Sequence, residues 1–160
     1  MKDWISILLT LFLPMLAVFG NATGLSVHKR IPDYVNHLSL VFAIDAVIIG
    51  VILMCLEWGS VVLMLACLLA AHFLISTGNS LLTSIFPMFM RGKVNSGMIA
   101  GVLNGFCYFG STISSYGLGA IADHWGWSAV FWTLLGVCGA VCLVWCGYTL
   151  LKWHTNRRTV

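Results

Sequence analysis

Apolar residues fill five long stretches, 4–27, 38–56, 61–90, 97–121 and 127–151, and polar residues gather in the breaks between them. The breaks read HKRIPDYVNH, EWGS, RGKVNS and ADHWG, and the chain closes on KWHTNRRTV. A helix needs about 20 apolar residues to cross the hydrocarbon core of a bilayer, and each stretch reaches or approaches that length. Hydrocarbon offers no partner to a bare peptide group, so a helix that bonds its own backbone is the structure such a stretch must take. The pattern predicts an all-α fold, a polytopic transmembrane helical bundle of five spans. No break is long enough to serve as a linker, so residues 1–160 read as a single domain.

Small and polar residues within the stretches fall on particular helical faces. Gly97, Gly101 and Gly105 recur every fourth position, and the missing side chains let a second backbone approach closely. Asn104 and Tyr108, followed by Ser111, Thr112 and Ser115, keep nearly the same spacing and set a polar stripe beside the glycine stripe, with Asn104 and Tyr108 as candidates to line a solute pathway. Gly20 and Gly24 predict another packing face in the first stretch, and Pro14 predicts a kink there. In the third stretch His72, Ser76, Asn79 and Thr83 share one face of a segment built otherwise of Leu, Ala, Val and Met. That stripe is read either as the lining of a solute pathway or as hydrogen-bonding glue between helices; His72 and Asn79 are costly to bury unpaired. Pro87 should break the same helix near its end. Asp45, in the second stretch, is a carboxylate at membrane depth, where ionisation costs roughly 3 kcal/mol or more. It is read as a proton or solute coupling group, or as half of a structural ion pair with a basic loop residue that snorkels towards it.

Composition agrees with a membrane class: 60% of residues are hydrophobic, 8% are charged, and the mean hydropathy is +0.98. The lipid bilayer is therefore an expected partner. Phosphate-cradling, zinc-protease, nucleophile-elbow and dinucleotide motifs are absent from the sequence. One carboxylate, Asp45, and one imidazole, His72, on different helices do not make a catalytic constellation, so no enzyme, cofactor or metal is expected. The six cysteines, at 55, 67, 107, 138, 142 and 146, lie in apolar stretches without a C-x-x-C pair and read as small buried hydrophobes. The net charge of +3 resides in the breaks and does not suggest a nucleic-acid partner.

Those charges also orient the chain. Lys29, Arg30, Arg91, Lys93, Lys152, Arg157 and Arg158, seven of the eight basic residues, fall in the first break, the third break and the tail. Lys and Arg in short loops stay on the cytoplasmic side, which places the N-terminus outside and the C-terminus in the cytoplasm of a multi-pass protein of the cell membrane, plasma or inner. Trp4, Trp58, Trp125 and Trp127 then belong to the outer interface and Trp153 to the inner one. A cleaved signal peptide over the first stretch is the rival reading, but cleavage would leave His28, Lys29 and Arg30 outside, against the charge rule.

The order R-G-K-V-N-S-G-x-x-x-G-x-x-N-G-x-x-Y-x-G, from Arg91, followed by G-L-G-A-I-A-D-H-W-G-W-x-x-x-F, from Gly117, resembles the penultimate helix and flanking loops of major facilitator superfamily transporters. Within that family it looks most like the branch that exchanges glycerol or hexose phosphates for inorganic phosphate. The stretch G-L-S-V-H-K-R, from Gly24, is similar to the family's cytoplasmic loop G-x-x-x-D-R-x-x-R-R but lacks its acidic residue. The resemblance implies the last five of twelve helices, part of the family's C-terminal domain, as a fragment or split half. It further implies a small polar or anionic solute moved by alternating access, with the missing N-terminal helices or another membrane subunit as partner. The basic residues that hold phosphate in that branch lie mainly in the missing helices. The alternative is a small membrane interaction protein that does not transport and packs through its glycine-rich faces.

The charge pattern makes a testable topology. Cysteine labelling and reporter fusions should find the N-terminus, residues 57–60 and residues 122–126 outside, and residues 28–37, 91–96 and the tail in the cytoplasm. A cytoplasmic signal at Trp58 or His124 would overturn that orientation.

Overall fold

The computed structural model describes residues 3–30, 33–92 and 95–157, with side chains described for 11–30, 33–92 and 95–151. Lys2, Lys93 and Arg158 lie outside the described residues, as do the side chains of Trp4, Lys152, Trp153 and Arg157. Helices form almost everything else: α1, Asp3–Arg30; α2, Tyr34–Trp58; α3, Val61–Ser80; α4, Phe86–Phe89; and α5, Ser96–Arg157. A π-helical turn, Leu81–Ile85, joins α3 to α4. There is no strand among the described residues. Four helical runs, α3 through α4 counting as one, are long and apolar enough to cross a membrane, and the chain is that of a multi-pass membrane protein.

Helix ends follow local chemistry. Asp33 caps α2 by accepting from the Val35 amide at 3.0 Å, and the His37 amide bonds the Asp33 carbonyl at 3.0 Å. Within the polar break 28–37, α1 continues to Arg30 and α2 resumes at Tyr34. Gly59 ends α2 in the left-handed conformation, φ 69°, which a residue without a Cβ adopts at low cost. Asn95 starts α5, its Oδ1 accepting from the Gly97 and Met98 amides at 3.1 and 3.3 Å.

Pro87 acts upstream of itself. Its ring removes an amide donor and crowds the carbonyl four residues earlier. The backbone widens there into the π-helical turn, closed by the Phe86 amide bonding the Leu81 carbonyl. The helix is thus widened where a break was expected, and α4 carries it on to Phe89.

The ADHWG segment behaves differently from a loop. Helical structure continues through Ala122–Trp125, and the interruption is confined to Gly126, φ 80° and ψ 174°. A straight helix would hold Leu103 and Val144 about 60 Å apart at 1.5 Å per residue. Both line one cavity, so the chain doubles back at Gly126 and α5 is two arms, 96–125 and 127–157. Each arm exceeds the length of a span.

The arrangement in space is not the order in sequence. α1 packs on α3, α3 on α2, and α2 on α5, while α1 and α2 barely touch. The α1 and α3 contact is the tightest: a Cβ on Gly20 would stand 2.7 Å from the Phe73 carbonyl oxygen, and one on Gly24 would stand 3.1 Å from that of Thr77. On the first arm of α5 a Cβ at Gly101 or Gly105 meets nothing within 4 Å, and one at Gly97 meets just the Asn95 Oδ1 at 3.4 Å. That glycine face is unpartnered among the described residues.

Leucine substitutions separate the two faces. Gly20→Leu should lower stability in detergent by about 2 kcal/mol or more, since α1 must move off α3 to admit the side chain. Gly105→Leu in the same chain should change it by under about 0.5 kcal/mol. Equal losses in thermal unfolding would remove the distinction.

Candidate functional site

The hydroxyls of α3 build a seam against α1. Thr77 Oγ1 lies 3.0 Å from the Gly20 carbonyl and 3.0 Å from that of Phe73, so it can donate across the interface or within its own helix. Ser80 Oγ donates to the Asn21 carbonyl at 3.3 Å. Thr23 Oγ1 returns a bond to Gly20 at 2.8 Å and stands 3.4 Å from Thr77 Oγ1. In an apolar surround such bonds join helices more firmly than contact between aliphatic side chains, which lipid tails imitate.

The sequence-predicted stripe of α3 divides at this seam. Ser76 is buried; its Cβ lies 3.0 Å from the place a Gly20 Cβ would take, and its hydroxyl donates to the His72 carbonyl at 2.8 Å. Asn79 is exposed. Thr83 sits in the π-helical turn and donates back to the Asn79 carbonyl at 2.8 Å. His72 is half-buried, with Nε2 enclosed and without a hydrogen-bonding partner. Asn104 and Tyr108, on the first arm of α5, are exposed, Tyr108 to 75%. No hydrogen bond among the described residues joins that arm to the α3 stripe.

Asp45 points into the protein. It is 2% exposed, in a buried row of α2 with Val41, Ile49 and Ile52, and its Oδ1 has no hydrogen-bonding partner. Cys138, on the second arm of α5, is likewise buried. The same row of α2 meets α3 through Val41, which lies 3.5 Å from the place a Gly78 Cβ would take, and no hydrogen bond among the described residues joins Asp45 to His72 or Asn79.

Sequence reasoning missed a cluster where α1, α2 and α4 meet. His28, in the last turn of α1, has its ring centroid 4.4 Å from Tyr34, 6.0 Å from His37 and 5.4 Å from Phe89. Tyr34 meets Phe86 edge-on at 5.3 Å. His28 and His37 are buried, and His28 Nδ1, both His37 nitrogens and the Tyr34 hydroxyl lack hydrogen-bonding partners. The available signal was three rings inside a break otherwise full of charge. Once the two helices close up on the Asp33 cap, those rings turn inward together.

A probable hexose phosphate transport protein of Chlamydia pneumoniae is 38% identical to this chain over 52 residues. The match covers 32% of this chain and 11% of that protein, so the chain spans a small part of its length. No family model and no solved structure matches.

The orphaned Tyr34 hydroxyl carries its own test. Tyr34→Phe keeps the ring contacts and removes a polar atom without a partner, so stability should hold or rise by about 1 kcal/mol. A loss above about 2 kcal/mol in thermal unfolding would show that the hydroxyl is bonded in the folded protein.

Proposed function

We propose that the chain supplies five helices of a secondary transporter of the major facilitator type, moving a small polar or anionic solute, with an organophosphate as the leading candidate. The match to the probable hexose phosphate transport protein carries this reading, because it joins a transporter to a chain of apolar spans. The loop charges support a cell-membrane location with the N-terminus outside and the C-terminus in the cytoplasm.

In such transporters one bundle rocks against another around a site near the bilayer midplane. His72, Ser76, Asn79, Thr83, Asn104 and Tyr108 are the polar side chains assigned to the pathway. Asn79, Asn104 and Tyr108 are exposed and free to face helices beyond these 160 residues. Ser76 belongs to the α1 seam as much as to any pathway. One observation favours the second reading, a helix-packing protein without transport: the open glycine face at Gly101 and Gly105.

Transport in proteoliposomes tests the proposal. The 160-residue chain alone should show no saturable uptake of glycerol phosphate, hexose phosphate or phosphate, and uptake should appear with a membrane polypeptide that carries the complementing helices. In that system His72→Leu, Asn79→Leu and Asn104→Leu should each cut uptake about threefold to tenfold, the worth of one hydrogen bond, at equal amounts of folded protein. Uptake by the chain alone would remove the need for a second bundle. Full activity in all three variants would reassign the stripes to packing.

A further inference from the structure

A cavity of about 490 Å³ lies between α2, the π-helical turn, α4 and both arms of α5. Ligand sites span roughly 300–1,000 Å³, so its size is sufficient to hold one. Tyr34, Leu38, Leu82, Phe86, Leu103 and Val144 line it, and the wall is apolar throughout. A space with no polar lining does not hold water, which would find no partners there. Val144 is 74% exposed, so the cavity opens on the outward face of the bundle, which in a membrane protein is the face that meets lipid. Leu82 reaches the wall from the π-helical turn, a feature that recurs at functional sites.

Depth and charge narrow the occupant. The walls run from Tyr34 to Ser39 on α2 and from Val141 to Tyr148 on α5, about 10 Å along the helix axes. One leaflet of the hydrocarbon core is about 15 Å deep, so the cavity takes the upper part of a single acyl chain. Its Tyr34 end is the basic end of the bundle. Exposed Lys29 and Arg30 follow His28, and exposed Arg91 follows Phe89 by two residues; the His28 and Phe89 rings lie 4.4 and 6.2 Å from Tyr34. Trp145 Nε1 donates to Asn36 Oδ1 at 2.9 Å, holding the second arm of α5 to α2 at the same end, where an indole suits the membrane interface.

We propose that this cavity binds one acyl chain of an anionic phospholipid whose headgroup meets Lys29, Arg30 and Arg91. The inference rests on the chain lying in a bilayer and is independent of transport. Native mass spectrometry of the purified chain, released from micelles that hold equal phosphatidylglycerol and phosphatidylcholine, should retain one phosphatidylglycerol. A basic residue near an anionic lipid surface is worth roughly fivefold, so Lys29→Gln with Arg30→Gln should lower the preference by at least that factor while a lipid still binds. Leu103→Trp and Val144→Trp fill the cavity and should cut occupancy about tenfold, the worth of two buried methylenes. Val62→Trp, at the opposite end, should leave it unchanged. Quenching by chain-brominated phosphatidylglycerol, compared between the native chain and Trp145→Phe, reports the same occupancy in chains whose helicity is verified by circular dichroism. The proposal fails if no lipid is retained, if phosphatidylcholine or free palmitate is retained equally well, if both fillings leave occupancy intact, or if a second polypeptide is recovered in place of the lipid.

Discussion

The approach of α1 to α3 at Gly20 determines where the other helices can lie. Lipid tails are as apolar as leucine, so two helices in a membrane gain little by hiding aliphatic surface from the solvent and associate through close packing and hydrogen bonds. Gly20 supplies both, because its bare backbone admits the Phe73 carbonyl region and leaves its own carbonyl open to the Thr77 hydroxyl. α3, fixed on that side, offers its other side to α2, and α2 carries the second arm of α5. The first arm of α5, which has no such seam, is exposed over most of its length.

Pro87 shows how one residue reshapes what lies before it. The missing donor and the ring's bulk widen a single turn at Leu81–Ile85, and that turn supplies a wall of the apolar cavity through Leu82. The same segment brings Phe86 and Phe89 against Tyr34 and His28. One proline near a helix end thus positions both the cavity and the ring cluster beside it.

The helices were legible because an apolar stretch in hydrocarbon has one way to bond its backbone, and the sequence marks each stretch by its charges. What escaped depends on detail finer than hydropathy. ADHWG is polar enough to read as a loop, yet Ala122 to Trp125 remain helical and a single glycine conformation at Gly126 makes the reversal. HKRIPDYVNH reads as a connection because of its charges, whereas Asp33 caps a helix inside it and draws His28, Tyr34 and His37 together. The α3 stripe is readable as a face, but spacing does not distinguish a residue turned to a neighbouring helix, such as Ser76, from one turned outward, such as Asn79.

Two kinds of polar group emerge from this packing. A serine or threonine hydroxyl can rotate onto the carbonyl of the preceding turn, as Ser39, Thr112 and Thr133 do, so burying it in a helix costs little wherever it points. A carboxylate only accepts, and the amides inside a helix are already bonded, so it has no such recourse there, and a rigid imidazole ring has little. His28, His37, His72 and Asp45 each keep an enclosed atom without a partner, at about 1–3 kcal/mol apiece. Packing alone does not account for them, since leucine would fill comparable space without that cost. None of these side chains forms the Gly20 seam: His28 and His37 sit where three helices meet, Asp45 sits in the buried row of α2 with Val41 and Ile49, and His72 contributes just its backbone carbonyl to the Ser76 hydroxyl. The hydroxyls therefore belong to the scaffold, and the unpartnered imidazoles and carboxyl group are the polar atoms whose presence a function has to explain.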